Sequence, residues 1–266
     1  MKRIQLFEFE DFNWFPVWIR SSMTNLIAVL HKMLGTKEVL VNLLATIKEQ
    51  YSFSQIVDMG SGSGGIMPDV IKELNNDTSQ PITLLLTDLY PNKQFINYIN
   101  KQNIEHVNYS SNSLNATNLT QAPEGLKTMI NSFHHMPPKS AKQILKSAQD
   151  NKEPILIYEI AENKIPLLLW WVLLPISLVI LFVMALFMTP FCKPLSIKQL
   201  IFTYAIPIIP IFYAWDGQAS MPRMYTFNDV KELLKDIEAP SYSWEIKSAT
   251  KPNGKKVGYY IFGLPN

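Results

Sequence analysis

The segment 58–65, DMGSGSGG, is almost free of side chains and constrains this chain more than any other feature. It follows the β-prone residues 55–57, so the pattern predicts a strand that ends in a carboxylate and then a turn. Glycine is needed where the backbone adopts positive φ and approaches a ligand closely, because a Cβ would block that approach. A helix after the turn would add free N–H groups. The segment therefore predicts a binding site for a nucleotide-like ligand.

One known pattern that fits the turn is the dinucleotide pattern G-x-G-x-x-G. Gly60, Gly62 and Gly65 satisfy it, and Asp88 follows about 20 residues later, where such enzymes place an acid on the ribose. This interpretation predicts a nicotinamide or flavin enzyme. A turn that binds no ligand is a further alternative.

The second pattern is acidic-x-G-x-G-x-G, which Asp58, Gly60, Gly62 and Gly64 satisfy. It resembles the first motif of class I, Rossmann-like, S-adenosylmethionine-dependent methyltransferases. The context favours this resemblance, because residues 1–51 are predicted to be largely helical, the chain has room for one nucleotide-binding half, and its tail is predicted to form a hairpin. A dinucleotide fold with two halves would usually open with the motif and repeat the unit.

The resemblance implies an α/β fold with a doubly wound, mostly parallel seven-stranded sheet and a C-terminal antiparallel hairpin. An N-terminal helical cap precedes the sheet, and a hydrophobic helical insertion follows the fifth strand. The predicted strands are 55–57, 81–88, 106–109, 126–132, 153–159, 244–247 and 257–264. The predicted helices are 21–34, 36–51 and 227–237, the last capped by Thr226 or Asn228. We expect a cap over 1–51, a methyltransferase domain over 52–164 and 216–266, and an insertion over 165–215.

The resemblance also implies which residues bind S-adenosylmethionine. The motif glycines would admit the amino-acid end of the cofactor, and Asp58 would orient it. Asp88, at the end of the second strand, would bind both ribose hydroxyls, although it is also a candidate helix cap. Asn115, after the third strand, would bond the adenine amine. The full expected set is Asp58, Gly60, Ser61, Gly62, Gly64, Asp88, Leu89, Asn115 and Ser132.

Two adjacent histidines follow the fourth predicted strand. Residues 133–138, FHHMPP, are similar to the hydrophobic-His-His element at the same point of many small-molecule methyltransferases. Strand carboxyl ends in an open parallel sheet face the ligand crevice, where a neutral imidazole is able to accept a proton from a phenol or hydroxyl. His134 and His135 are therefore the candidate catalytic residues. Alternatively, one of them only packs or bonds the backbone.

A long apolar stretch follows the fifth strand. Residues 165–192 carry no charged side chain and would form a helix about 40 Å long, which exceeds a hydrocarbon core of about 30 Å. A second uncharged run, 199–215, contains Pro207 and Pro210 and is expected to be re-entrant or interfacial. The C-terminal strands must rejoin the sheet, so the insertion has to return to the same side. Two lysines in the linker slightly favour a hairpin in one leaflet over two crossings; a core helix or dimer interface of a soluble enzyme is the alternative.

Residues on both sides of the insertion are expected to contact the methyl acceptor. Trp14 belongs to a Trp-Phe-Pro element, and Asp216 and Arg223 lie in the Trp-Asp-Gly segment 215–226, which resembles the substrate loop of a group of methyltransferases. Trp14 would line a pocket, anchor in lipid headgroups or pack the cap on the sheet. Asp216 and Arg223 would orient a polar head of the acceptor or pair with each other.

These features together predict methyl transfer to a hydrophobic, membrane-resident small molecule or lipid, with O-methylation favoured. The alternatives are an NAD(P)-dependent oxidoreductase on a lipidic substrate and a membrane-tethered cofactor-binding module without catalysis.

Charge and cysteine content argue against other classes. The net charge is +2 and no basic face is interleaved with aromatics, so we expect no nucleic-acid partner. The single Cys192 excludes an internal disulfide and argues against a zinc or iron–sulfur site, so no metal is expected. Acids within 7–11 break any apolar leader. We therefore expect no signal peptide and a membrane-associated enzyme whose catalytic domain is on the cytoplasmic face.

Overall fold

The computed structural model describes residues 1–76, 78–237 and 239–266. Within them, seven strands form one sheet: β1 Gln55–Met59, β2 Thr83–Asp88, β3 Val107–Ser113, β4 Leu126–Ile130, β5 Ile155–Glu159, β6 Tyr242–Thr250 and β7 Lys256–Pro265. The order in the sheet is β3-β2-β1-β4-β5-β7-β6. Strands β1 to β5 are parallel, whereas β7 is antiparallel to both β5 and β6. The expected α/β fold with a C-terminal antiparallel hairpin is confirmed.

The helices are α1 Val17–Leu34, α2 Thr36–Gln50, α3 Met67–Leu74, α4 Lys93–Lys101, α5 Pro138–Asp150, α6 Leu167–Met188, α7 Ile197–Leu200, α8 Ile208–Arg223 and α9 Phe227–Leu234. Gly35, with φ 69°, ends α1 and lets α2 begin at once. Thr226, rather than Asn228, caps α9. The Thr226 hydroxyl accepts the N–H of Asp229, whose carboxylate accepts the N–H of Thr226.

Both faces of the sheet are packed, because successive side chains of the central strands are buried on opposite faces. In β5, Leu156 and Tyr158 belong to a buried cluster with α2, α3 and α4, whereas Ile155 and Ile157 belong to a second cluster with α5 and α9. Successive side chains of a strand point to opposite faces, so one strand contributes to both layers. This doubly wound arrangement brings the carboxyl ends of β1, β2, β4 and β5 to one edge of the sheet.

The apolar stretch forms a helix that lies mostly outside the core. Only 11% of the most apolar window of Leu167–Phe191 is buried, and among the described residues this is the one continuous helix long and apolar enough to cross a membrane. A bend of 83° separates Ile197–Ala205 from α8. The break comes at Pro207, the N-cap of α8, whereas Pro210 fits into its first turn. As the prolines led us to expect, the second apolar run is therefore not one straight helix.

The expectation of a loop over 215–226 is wrong for 215–223, which are helical. Helix α8 continues without interruption to Arg223. Gly217 lies against α6, where a Cβ would be 3.0 Å from Cδ1 of Leu181, so the glycine allows the two helices to approach closely. Tyr213 of α8 is buried in a third cluster with α1 and α6. Helix α8 thus runs across the expected boundary between the insertion and the C-terminal part of the methyltransferase domain.

Several predicted bounds differ from the observed ones. Helix α1 begins at Val17 rather than at residue 21, and α9 ends at Leu234 rather than at 237. Strand β3 runs on to Ser113, and both C-terminal strands are longer than predicted. The last residues of β3 are polar and exposed at the edge of the sheet. They give no apolar alternation, so the pattern missed them.

Candidate functional site

The glycine turn leaves β1 at the carboxyl edge of the sheet. Gly60, Gly62 and Gly64 have φ values of 71°, 53° and 91°, which lie in a region that L side chains rarely adopt. The N–H of Ser61 donates to the carbonyl of Thr87 at 3.0 Å and ties the turn to β2. The backbone therefore favours glycine at all three motif positions.

Asp58 lies buried beneath the turn, and both of its carboxylate oxygens are bonded. Oδ2 accepts the hydroxyl of Ser61 at 2.6 Å, and Oδ1 accepts the hydroxyl of Thr128 in β4 at 2.6 Å. Burial raises the pKa of Asp58 to about 6, although these two hydrogen bonds oppose the shift. Asp58 and Ser61 thus fix the turn against the sheet.

Asp88 ends β2 beside the turn. Its Oδ2 accepts the N–H of Gly62 at 3.1 Å, and its Oδ1 accepts the N–H of Tyr90 at 2.9 Å. The side chain of Asn92 caps α4, so the interpretation of Asp88 as the helix cap is wrong. Leu89, the next residue, is exposed. One carboxylate therefore joins the tip of β2 to the glycine turn.

Asn115 lies in the loop after β3, close to the tip of β2. The N–H of the preceding residue, Leu114, donates to the carbonyl of Asp88 at 3.0 Å. The side-chain oxygen of Asn115 accepts both the N–H and the hydroxyl of Thr117. These two bonds fix the orientation of the Asn115 side chain. The amide nitrogen takes no part in them.

Ser132 follows β4 and offers a free hydroxyl next to the turn. Its Oγ is buried and has no hydrogen-bond partner among the described residues. A Cβ on Gly60 would lie 3.2 Å from this oxygen. Leaving a buried polar atom unpaired costs roughly 1–3 kcal/mol. A polar ligand at the turn would satisfy it.

His134 follows in the 3-10 helix Phe133–His135 and binds a buried glutamate. Its N–H donates to Oε1 of Glu159 at 3.0 Å, and its Nδ1 lies 2.8 Å from Oε2 of the same carboxylate. The guanidinium of Arg3 donates to the carbonyl of His134 at 2.7 Å. A neutral ring held in this way carries its proton on Nδ1 and keeps Nε2 as an acceptor.

His135 is surrounded by acids of the N-terminal segment, residues 1–16. Its Nδ1 lies 3.1 Å from Oε2 of Glu8 and 3.5 Å from Oδ1 of Asp11, and its Nε2 lies 3.6 Å from Oε1 of Glu10. Burial opposes a charge on the ring, but the charge of Glu8 and hydrogen bonds to the acids outweigh it and raise the pKa of His135 well above its usual range. A charged ring cannot accept a proton, so His134 is the stronger candidate for a base.

Asp216 and Arg223 of α8 both bind the N-terminal segment. The Asp216 carboxylate accepts two backbone N–H groups of that segment, at 2.8 and 3.1 Å. Arg223, which is fully buried, pairs with Glu8 at 2.8 Å and with Asp11 at 2.6 Å. It also donates to the carbonyl of His135 at 3.3 Å. The two residues thus hold the N-terminal segment against the histidines.

Trp14 lies on the surface beside the insertion. Its side chain is 67% exposed and stacks on Phe12, with ring centroids 5.5 Å apart. The adjacent Phe15 is buried against Phe212 of α8 at 5.2 Å. Exposure of the indole favours the anchor interpretation of Trp14 over the packing interpretation.

Four acids of this site were not assigned a role from the sequence: Glu8, Glu10, Asp11 and Glu159. Glu159 ends β5, which pairs with β4 just before the histidines, so the parallel register contained a usable signal. Glu8 and Asp11 reach the site from the N-terminal segment. Their local sequence gives no indication of the histidines that they contact.

Comparisons with known proteins identify the fold. No protein-family model matches the chain, and no curated protein matches its sequence. Among solved structures, the chain is similar to the plantazolicin methyltransferase BpumL in complex with SAH, with 14% identity and a TM-score of 0.55 over 94% of this chain and 89% of that one. It is also similar to the plantazolicin methyltransferase BamL in complex with a triazolic desmethylPZN analog and SAH, with 14% identity and a TM-score of 0.52 over 94% and 98%. The chain therefore has the fold of these methyltransferases.

Proposed function

We propose that the protein is an S-adenosylmethionine-dependent methyltransferase that acts on a hydrophobic, membrane-resident small molecule or lipid, with O-methylation favoured. The observation that carries this proposal is the 3.1 Å hydrogen bond from Gly62 to Asp88. It brings the carboxylate expected at the ribose to the turn expected at the amino-acid end of the cofactor. The two similar methyltransferases are both complexes with SAH, which supports the same cofactor.

The side chains around the turn fit such a cofactor. A Cβ on Gly65 would meet nothing within 4 Å, so the space beside the turn is open. The free hydroxyl of Ser132 lies beside Gly60 of the turn and would bind the amino-acid end. Asp88 would bind the ribose hydroxyls, while Leu89 and Asn115 beside it would hold the adenine. Asp58 would act indirectly, because both of its oxygens already hold the turn and β4.

The protein's own share in the reaction is mostly positioning. When bound, S-adenosylmethionine supplies an already activated methyl group. His134 would face the acceptor, with Nδ1 held by Glu159 and Nε2 free to take the acceptor's proton. Arg3 and Arg223 hold the carbonyls of the two histidines and so fix their backbone. The charged ring of His135 would orient the acceptor.

The exposed apolar insertion supports a membrane-resident acceptor. Leu168, Val172 and Phe187 of α6 are 78%, 65% and 74% exposed. Contiguous apolar surface of this kind marks a partner or a membrane. We place α6 and α7 in the cytoplasmic leaflet as a hairpin that the bend before α8 returns to the catalytic domain, with Trp14 at the headgroups. The acceptor would then enter the crevice from the bilayer.

The test is calorimetry on the full-length protein in detergent micelles. We expect SAH to bind in a one-to-one ratio, and NADH and NADPH not to bind. Binding of a dinucleotide without SAH would overturn the proposal in favour of an oxidoreductase. In a second assay, methyl-labelled S-adenosylmethionine and a membrane lipid extract should give label in the organic phase. Binding of SAH without any transfer would identify a cofactor-binding module instead.

A further inference from the structure

A small cavity lies where the N-terminal segment meets the start of α6. Its volume is about 30 Å³, and its wall includes Lys2 and Ile4 of that segment and Ile165, Leu167 and Trp170 around the first turn of α6. One water needs roughly 10–15 Å³, so the cavity admits a small polar group and not a whole lipid. None of the described residues that line it carries a carboxylate or belongs to the glycine turn or the histidine pair. The cavity is therefore separate from the candidate cofactor site.

The indole N–H of Trp170 is buried in this wall without an acceptor. Trp170 is 4% exposed, and its Nε1 has no hydrogen-bond partner within the described part of the chain. The indole nitrogen is a donor only. Buried donors are normally paired with protein or with ordered water. The cavity beside the ring is the place where an acceptor atom would fit.

Lys2 adds a positive charge to the same cavity. Its Nζ donates to the carbonyl of Asn163 at 2.8 Å, and an ammonium group has two further N–H donors. The acids close to these two residues in the structure or the chain are already engaged. One oxygen of Asp229 accepts the backbone N–H of Lys2 and the other accepts the cap of α9, while Glu162 pairs with Lys164 at 3.0 Å. The ammonium group is thus available to an anion from outside the chain.

The first turn of α6 brings backbone donors to the rim of the cavity. Pro166 is the N-cap and has no side-chain acceptor for the N–H groups of this turn. The first bond of the helix runs from the N–H of Trp170 to the carbonyl of Pro166 at 2.9 Å, so the N–H groups of 167–169 have no partner within the helix. A helix N-terminus favours an anion through these free N–H groups and through its dipole. Three kinds of donor therefore meet at one place.

The position of the cavity favours a lipid as the source of the anion. The exposed apolar face of α6 begins at its rim, where Leu168 and Trp171 are 78% and 50% exposed. Tryptophan is enriched at the interface between membrane and water, and Trp171 lies edge-on to Trp170 with ring centroids 4.8 Å apart. A phosphate in the cavity would thus lie at the level of the headgroups. Its acyl chains would follow the apolar face of α6.

We infer that this cavity binds the phosphate of an anionic phospholipid, with Lys2, the N–H of Trp170 and the first turn of α6 as its donors. The lipid itself stays outside the cavity, in the membrane. The site goes beyond the proposed function, because it needs neither the methyl donor nor the methyl acceptor. It fixes the start of α6 at the membrane surface beside the catalytic domain.

The probe is dioctanoyl-phosphatidylglycerol, titrated into the full-length protein in micelles of an uncharged detergent without phosphate. A purification tag at the C-terminus leaves Met1 and Lys2 unchanged. NMR of isotope-labelled tryptophan follows the indole N–H signals, and Trp170→Phe identifies the signal of Trp170. We expect the proton of that N–H to shift downfield as it bonds a phosphate oxygen.

Three results of the titration would overturn the inference. Dioctanoylglycerol has the same chains without the phosphate, and an equal shift with it would identify a neutral amphiphile. An equal shift with inorganic phosphate at the same concentration would identify a free anion. No shift of the Trp170 signal with phosphatidylglycerol would identify ordered water only.

Variants test the two side chains. Lys2→Gln and Trp170→Phe should each weaken the binding of phosphatidylglycerol by about tenfold, because each removes a hydrogen-bond donor to a charged group. The matched controls are Lys164→Gln and Trp171→Phe, which make the same changes at side chains that are 74% and 50% exposed and do not line the cavity. Both controls should bind the lipid as the wild type does.

Lys2 is exposed, so Lys2→Gln should fold, and its result decides even if Trp170→Phe does not fold. Unchanged lipid affinity in Lys2→Gln overturns the inference, and so does an equal loss in Lys164→Gln. Binding of SAH is measured on the same samples. A protein that binds the lipid but not SAH keeps this site and loses the proposed function.

Discussion

Nδ1 of His134 lies 2.8 Å from Oε2 of Glu159, and Oε1 of the same carboxylate accepts the backbone N–H of His134. Both side chains are buried, so water does not compete for these bonds. A neutral imidazole in this position donates its Nδ1–H to the carboxylate. The pair therefore sets which ring nitrogen faces the crevice.

Replacing Glu159 by glutamine should move the ring proton of His134 from Nδ1 to Nε2. The amide oxygen of glutamine is able to keep the backbone bond, whereas its NH₂ group donates to Nδ1 and moves the ring proton to Nε2. Long-range nitrogen–proton NMR on histidine-labelled, metal-free protein should show the Nδ1–H form in the wild type and the Nε2–H form in Glu159→Gln. Methyl transfer should fall by roughly 10²–10⁴-fold. An Nε2–H tautomer in the wild type would contradict the assignment. The control is Glu162→Gln, whose carboxylate pairs with Lys164 at 3.0 Å in the wild type, and it should change neither signal.

Asp88→Asn should weaken SAH binding by about 10- to 100-fold, because a hydrogen bond to a charged group contributes roughly 1.5–3 kcal/mol. Asparagine keeps one acceptor oxygen for the N–H of Gly62 or Tyr90, so the turn should remain folded. Calorimetry measures the affinity. Asp69→Asn is the control, because Asp69 is an exposed carboxylate that pairs with Lys32. Equal affinity for SAH in the two variants would show that Asp88 does not bind the cofactor.

Gly62→Ala and Gly254→Ala should separate backbone strain from cofactor binding. Both glycines have positive φ, 53° and 80°, and neither alanine meets a close contact. Each substitution should cost about 1–2 kcal/mol of stability from the left-handed backbone. Only Gly62→Ala places a Cβ beside the turn, so only this variant should also lose SAH affinity. Chemical denaturation measures the stability of both variants, and calorimetry measures their affinity for SAH. A loss of affinity in Gly254→Ala would show that lower stability alone weakens SAH binding.

The parts of the fold that the sequence predicted are those with a local physical signal. Glycines at fixed spacing mark the turn at 60–65, and the continuous apolar run of 155–158 marks a strand packed on both faces. The C-terminal hairpin follows from two β-prone runs around an Asn-Gly turn. In these cases each residue's own preference agrees with its neighbours, so the assignment needs no tertiary contact.

The parts that were missed depend on contacts between distant segments. Gly217 was expected in a loop, but its lack of a side chain serves the close crossing of α8 and α6 at Leu181. Glu8 pairs with Arg223 and His135, which lie far from it along the chain. A short acidic segment at the N-terminus has no periodicity that would reveal such partners. The site was therefore predictable at the glycine turn and not at the N-terminal segment.

Asp58 should make stability depend on pH in a direction opposite to that of most carboxylates. Its pKa in the folded protein is about 6, above the value of about 3.9 in an unfolded chain, so the folded state binds the proton first. Ionised Asp58 therefore lowers the stability above pH 6, by about 3 kcal/mol at most, and this loss is relieved as the pH falls from 6 toward 4. Asparagine at this position does not titrate. Denaturation at pH 7.5 and 4.5 should show the wild type gaining stability relative to Asp58→Asn at the lower pH; a constant or opposite difference would contradict the shift.

Membrane association should depend on the exposed face of α6. Val172 and Val179 are 65% and 62% exposed, so lysine at both positions should leave the fold intact. Each lysine near the centre of a bilayer costs roughly 2.5–3.5 kcal/mol, so the double variant should bind vesicles at least about a hundredfold more weakly than the wild type. Flotation with lipid vesicles measures this. Met33→Lys with Leu34→Lys, also exposed but in α1, is the control and should float as the wild type does. If instead α6 is the dimer interface of a soluble enzyme, the wild type will sediment as a dimer without detergent and the α6 variant as a monomer, and neither will float.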